Sequence, residues 1–186
     1  MMASSYGLLA ATLASASKLG EALVNAAEQG DLGRVRELLK LGADPNYKTK
    51  DGIAALLWAA SACNHELARL LLEQGANHDD RDRFGQTALM LAVLGPSIKD
   101  EERYRTDSAK LDAQQTVQIL LAEGADVNLK SITGDTALSC AKHGGAKGLL
   151  GQRAPQRPEQ RKKRSQLDGI ITLLKNAGAE DSFTSY

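Results

Sequence analysis

The fold is decided by Lys50-Asp51-Gly52-Ile53-Ala54-Ala55-Leu56-Leu57-Trp58-Ala59-Ala60-Ser61-Ala62-Cys63-Asn64-His65-Glu66-Leu67-Ala68-Arg69-Leu70-Leu71-Leu72-Glu73-Gln74-Gly75-Ala76-Asn77-His78. Gly52 reads as a turn residue, followed by an alanine-rich helix over 54–62. A tight turn at Cys63–Asn64 leads into a second helix over 65–74, which Gly75 stops. Glycine closes a helix well because it takes the left-handed conformation without a Cβ clash.

The same unit recurs along the chain. Gly42 and Gly75 stand 33 residues apart, and so do Gly52 and Gly85. Every closing glycine is followed by alanine: Gly42-Ala43, Gly75-Ala76, Gly124-Ala125 and Gly178-Ala179. Upstream, Leu23, Ala26 and Ala27 match Leu56, Ala59 and Ala60 at that offset, and Leu32, Val35, Leu38 and Leu39 have helical spacing. Asn25, Arg34 and Glu37 fall where the next unit has Trp58, Leu67 and Leu70. That polar outer face suits the first unit of a stack. At the other end Lys175 replaces Leu39, Leu72 and Leu121, and a lysine on that face predicts that no fifth unit packs against it.

A 33-residue period of turn plus two helices is that of ankyrin arrays. Thr87-Ala88-Leu89-Met90 and Thr136-Ala137-Leu138-Ser139 resemble that family's Thr-Pro-Leu-His helix opening, and Asp82-Arg83-Phe84-Gly85 resembles its hairpin turn. The resemblance implies an all-α ankyrin-repeat solenoid over residues 20–181, with repeats at about 20–49, 50–82, 83–131 and 132–181. Residues 1–19 form a tail or a leading helix, and 182–186 a C-terminal tail. No unit keeps the family's helix-opening histidine, since Leu57, Met90 and Ser139 stand there, and Ala54 lacks the capping hydroxyl of Thr87 and Thr136. Hydrogen-bond ties between repeats are therefore expected to be weak, with Leu/Ala packing carrying more of the stability.

Repeats 3 and 4 depart from the period. Gly85 to Gly124 is 16 residues longer than Gly52 to Gly75, and Gly134 to Gly178 is 21 longer. The excess predicts two long loop insertions, about 97–112 and 146–165, between the helices of each repeat. Loops of that length are usually functional or disordered. The first is dense in charges of both signs. The second is basic, with Arg153, Arg157, Arg161, Lys162, Lys163 and Arg164 against Glu159. It reads as a solvated loop, as a contact for an acidic protein surface or nucleic acid, or as a loose clamp pairing Arg161–Arg164 with Asp100, Glu101 and Glu102 of the first.

Composition narrows the function. The chain has 186 residues, zero formal net charge and 4% aromatics, so no global field steers it toward nucleic acid or membrane. No apolar run approaches the ~18–20 residues needed to cross a bilayer. Cys63 and Cys140 lie in different repeats, read as buried first-helix residues, and form no disulfide framework. Residues 1–17 are Ala/Ser-rich and uncharged, without the basic start of a secretory peptide. A cytoplasmic location is the default expectation, with an N-terminal targeting peptide as the alternative. His65, His78 and His143 are too scattered for a four-ligand zinc site, and no nucleophile elbow, phosphate loop or His-Glu-x-x-His occurs. No catalytic residue and no cofactor is expected.

The family resemblance implies non-catalytic binding of another protein in a concave groove lined by hairpin tips and first helices. Carried over by position, the groove residues are Lys50, Asp51, Ile53 and Ser61, then Arg83, Phe84, Gln86 and Leu94, then Ile132, Thr133 and Asp135, flanked by Tyr47 and Arg81. Arg83 and Phe84 stand out, because arginines and aromatics supply most interface hot spots. The alternative is an anionic partner, nucleic acid or acidic protein, held by Arg153–Arg164. A monomer with no membrane partner is expected.

Overall fold

The computed structural model describes residues 3–95, 107–143 and 160–180. Within them lie α1 (Ala3–Glu28), α2 (Leu32–Lys40), α3 (Ala55–Ser61), α4 (His65–Glu73), α5 (Ala88–Leu94), α6 (Asp107–Ala122), α7 (Ala137–His143) and α8 (Gln160–Asn176). No strand occurs among the described residues; the one β-bridge is an isolated antiparallel pair between Arg81 and Thr87. The helices form four antiparallel pairs. α1, α3, α5 and α7 contact one another in sequence to make one layer, and α2, α4, α6 and α8 make the other. The architecture is an all-α repeat solenoid.

The paired residues that betray the period are helix caps. In Gly42-Ala43 the glycine N–H donates to Leu39 O and the alanine N–H to Leu38 O, both at 3.0 Å. The same two bonds recur at Gly75-Ala76, Gly124-Ala125 and Gly178-Ala179. Each is a Schellman closure, which needs a left-handed residue at the first position, and all four glycines have φ between 86° and 92°. The alanine that follows turns into the core at Ala43, Ala76 and Ala125, all buried, and is half-buried at Ala179. The first helices close likewise at Gly30 and at Cys63, whose φ of 51° makes it the one non-glycine in that region among the described residues. Asp31 and Asn64 follow directly and cap α2 and α4, accepting the N–H of Arg34 and Leu67.

A single leucine- and alanine-rich core runs between the two layers. Leu23, Leu56, Leu89 and Leu138 from the first helices meet Leu38, Leu71, Leu120 and Leu174 from the second, each almost fully buried. Small alanines on the first helices let the layers approach, as at Ala59, Ala60, Ala92 and Ala141. Trp58 is half-buried against this core.

Several expectations change. α6 begins at Asp107, not near Ala113, and α8 begins at Gln160, so Arg161, Lys162, Lys163 and Arg164 are on a helix and not in a loop. Both stretches are free of glycine and proline before residue 169 and rich in Lys, Arg, Gln and Leu, all good helix formers. Their excess over the period suggested loop, but their backbone preference is helical. The remaining parts of both insertions, with Glu101, Arg153 and Arg157, lie outside the described residues. Cys63 is buried as expected but sits in the turn after α3, not in the helix. α1 is continuous from Ala3, far longer than the first helices that follow it.

Candidate functional site

Three hairpins precede α3, α5 and α7, and they share one hydrogen-bond plan. Thr49, Asp82 and Ser131 each donate their N–H to the carbonyl of the residue four positions on: Ile53, Gln86 and Asp135. Gly52, Gly85 and Gly134 close each tip by donating back to Thr49, Asp82 and Ser131. The side chain of the first residue fastens the turn. Asp82 Oδ1 accepts the N–H groups of Phe84 and Gln86 at 2.8 Å each, and Thr49 Oγ1 accepts Ile53 N–H. Ser131 Oγ accepts from Thr133 and Asp135.

Neighbouring hairpins lock to one another. Arg83 Nη1 reaches Asp51 Oδ1 of the preceding tip at 3.0 Å, and its guanidinium lies 4.8 Å from the centre of the Phe84 ring. Phe84 O in turn accepts the Ile132 N–H of the following tip at 3.0 Å. A methyl group on Gly85 would stand 3.1 Å from Ile132 N, and one on Gly52 3.4 Å from Arg83 N, so the glycines let adjacent tips close up. On the inner side, Lys48 Nζ pairs with Asp80 Oδ1 at 3.0 Å.

The sequence-derived groove residues divide on this geometry. Lys50, Asp51, Arg83, Ile132 and Thr133 are exposed along the tips, and Ile132 is 72% exposed. Phe84 and Gln86 are half-buried, and so is Ser61 at the end of α3. Ile53 and Leu94 pack against the core, which leaves little of either for a partner. Asp135 is engaged internally: its carboxylate accepts from Thr133 Oγ1 at 2.6 Å and from Ser139 Oγ at 3.2 Å. Tyr47 is half-buried and turned toward α1. Its ring lies on Gly20 of α1, where any side chain would collide with it.

Sequence reading missed a second row. Asn46 spans two repeats, donating Nδ2–H to Gly75 O at 2.9 Å and accepting Asn77 N–H at 2.7 Å. Asp79 accepts Asp126 N–H, and Asn128 binds Gly178 O and Glu180 N–H. All three stand four residues after a closing glycine, the periodic signal that marks them. These ties supplement the packing between repeats, contrary to the expectation of weak hydrogen bonding.

Burial raises the Cys63 thiol to about 12, with a smaller push from Asp112, and raises Cys140 to about 12, with Asp135 adding to it. Neither is a thiolate nucleophile at neutral pH. A concavity of about 480 Å³ lies in the other layer, between α4 and α6, lined by His65, Arg69, Glu73, Gln115, Gln118 and Glu123 among others. His65 Nδ1 and Asp112 Oδ1 lie 3.5 Å apart beside it. No group of three or more metal-ligating side chains occurs among the described residues.

Comparison with known proteins decides the family. Residues 23–99 match the description "Ankyrin repeats (3 copies)" and residues 84–132 "Ankyrin repeat". The chain belongs to the ankyrin-repeat family. Among its curated relatives, "Probable E3 ubiquitin-protein ligase XBOS33" of Oryza sativa subsp. japonica is 34% identical over 82% of this chain and 28% of its own length. "Ankyrin repeat, SAM and basic leucine zipper domain-containing protein 1" of Otolemur garnettii is 32% identical over 59% of this chain and 20% of its own. "SH3 and multiple ankyrin repeat domains protein 2" of Homo sapiens is 32% identical over 62% and 7%. This ankyrin-repeat chain thus spans less than a third of the length of each. Ankyrin repeats generally mediate protein–protein interaction and are typically non-enzymatic. No helix among the described residues is long and apolar enough to cross a membrane.

Proposed function

We propose that this ankyrin-repeat chain is a non-catalytic module that holds a partner protein along the hairpin tips and the adjoining face of the first-helix layer. The observation that carries the reading is the locked edge. Asp51, Arg83, Phe84 and Ile132 are joined tip to tip by one ion pair and one backbone bond, with Arg83 stacked on Phe84 inside the middle tip, and still present an exposed isoleucine and an exposed arginine. Such preorganised apolar and guanidinium groups lose little freedom on binding, and arginines and aromatics dominate interface energetics.

The test is affinity capture from source-cell lysate with the full chain, with Ile132→Asp, and with Arg161–Arg164 neutralised, in parallel with nuclease treatment. Ile132 is the better probe than Phe84, whose half-buried ring contributes to the hairpin itself. Loss of one protein with Ile132→Asp alone supports the reading. Recovery that survives Ile132→Asp but fails with the neutralised helix or with nuclease assigns the interaction to α8 and overturns it.

A further inference from the structure

The hairpins carry cations at alternate positions. Lys48, Arg81 and Lys130 occupy one equivalent site immediately before the turn, and Lys50, Arg83 and Ile132 the site two residues on; all six are exposed. The carboxylates of the same hairpins are turned into the protein's own contacts. Asp82 binds two backbone N–H groups, Asp135 binds Thr133 and Ser139, Asp80 takes Lys48, and Asp51 takes Arg83. Lys50, Arg81 and Lys130 have no ion pair among the described residues.

We infer that the partner segment taken by this edge is an acidic peptide, its carboxylates meeting Lys50, Arg81 and Lys130 and an apolar side chain resting on Ile132 beside Phe84. This rests on the proposed binding edge and adds its chemistry. The charge balance favours a peptide over nucleic acid. Five cations stand against four carboxylates in the three hairpins, so the long-range field is weak, and recognition comes from Lys50, Arg81 and Lys130, exposed and without an ion pair among the described residues, while the four carboxylates are engaged in the protein's own contacts. A polyphosphate needs many neutralising cations and counterion release to bind tightly. A peptide with a few spaced carboxylates needs only close contacts, each a modest surface pair.

The experiment selects binders from a displayed library of random linear peptides on the full chain. The selected peptides are then measured by fluorescence anisotropy against three variants whose fold is checked by circular dichroism. These are Arg81→Glu with Lys130→Glu, Ile132→Asp, and Arg36→Glu with Lys40→Glu on the opposite layer as the control. The expected pool is rich in Asp and Glu, weakens roughly tenfold with Arg81→Glu/Lys130→Glu, weakens with Ile132→Asp, and is unchanged in the control. A neutral or basic pool that still depends on Ile132 sinks the acidic-peptide inference and leaves the binding edge standing. A pool indifferent to both hairpin variants, or no enriched pool, sinks the edge as well. A single-stranded oligonucleotide binding more tightly than the selected peptides, and lost with Arg81→Glu/Lys130→Glu, identifies the row as a nucleic-acid contact and overturns the inference.

Discussion

Individual residues show where this chain gives up stability and where it holds a conformation at some cost. Ala54 starts α3 with no side-chain cap, whereas Thr87 Oγ1 accepts Met90 N–H at the same point of α5, and Thr136 and Ser139 cap each other at α7. All three starting positions are buried to the same degree. Ala54→Thr should therefore stabilise the protein by about 1 kcal/mol, read as a rise in the urea midpoint at constant slope. The missing cap was legible in the sequence, because the period aligns Ala54 with two threonines. The cysteines give a pH prediction. Their folded pKa of about 12 lies above the 9.0 of an ordinary cysteine thiol, so the folded state holds the proton that an unfolded chain releases. Their contribution is complete below pH 9 and is lost as pH rises toward 12. A Cys63→Ala/Cys140→Ala variant should lose less stability than the parent between those limits, and the parent's thiols should react with a thiol reagent only on unfolding.

Helices and turns are set by caps more than by helix propensity. Helices of seven to nine residues, such as α3 and α4, are too short to persist alone. The Schellman closures and the N-caps at Asp31 and Asn64 fix where each one ends, and packing against its neighbours does the rest. The asparagine ties join those ends between repeats. Asn46→Ala removes two hydrogen bonds to the next repeat, to Gly75 and Asn77, at an exposed site where water can partly replace them. The expected cost is about 1–2 kcal/mol, with Asn128→Ala similar through Gly178 and Glu180. Amide hydrogen exchange should then speed up at Asn77 or Glu180, the donors left without their acceptor. A loss confined to the mutated residue's own turn would show that these bonds do not couple repeats. Residues 107–112 and 160–165 show how an excess over the period misleads at this scale, since the added residues can extend a helix when their side chains are good helix formers and no glycine or proline intervenes.

The described helix pairs stack in a row, each packed on its neighbours, so stability is approximately a sum of repeat and interface terms. Leu71 of α4 is fully buried at the centre of the described stack. Leu71→Ala should cost about 2–5 kcal/mol. Exchange protection should fall most in α3 to α6 and least in α7 and α8; a uniform fall would mean that the stack unfolds as one unit. The proposed binding edge belongs to this scale as well. It is not in any one repeat, and the Ile132→Asp capture test reads a surface that exists only when three hairpins stand in line.

The sequence alone determined the period, the number of helix pairs, the closing glycines, the missing cap at Ala54 and the polarity of the first repeat. Each is a local requirement that a short stretch of residues states in full: a left-handed position needs glycine, a helix start needs an acceptor, a buried face needs leucine. The tertiary structure alone decided which hairpin residues face outward. Asp51, Asp82 and Asp135 look alike in sequence, yet one pairs with Arg83, one fastens its own turn and one binds Thr133 and Ser139. Tyr47 looks like a surface aromatic until α1 brings Gly20 beneath it. A side chain's availability depends on the neighbour that the stack places within reach, and that neighbour is some thirty or more residues away in the case of Arg83 and Asp51.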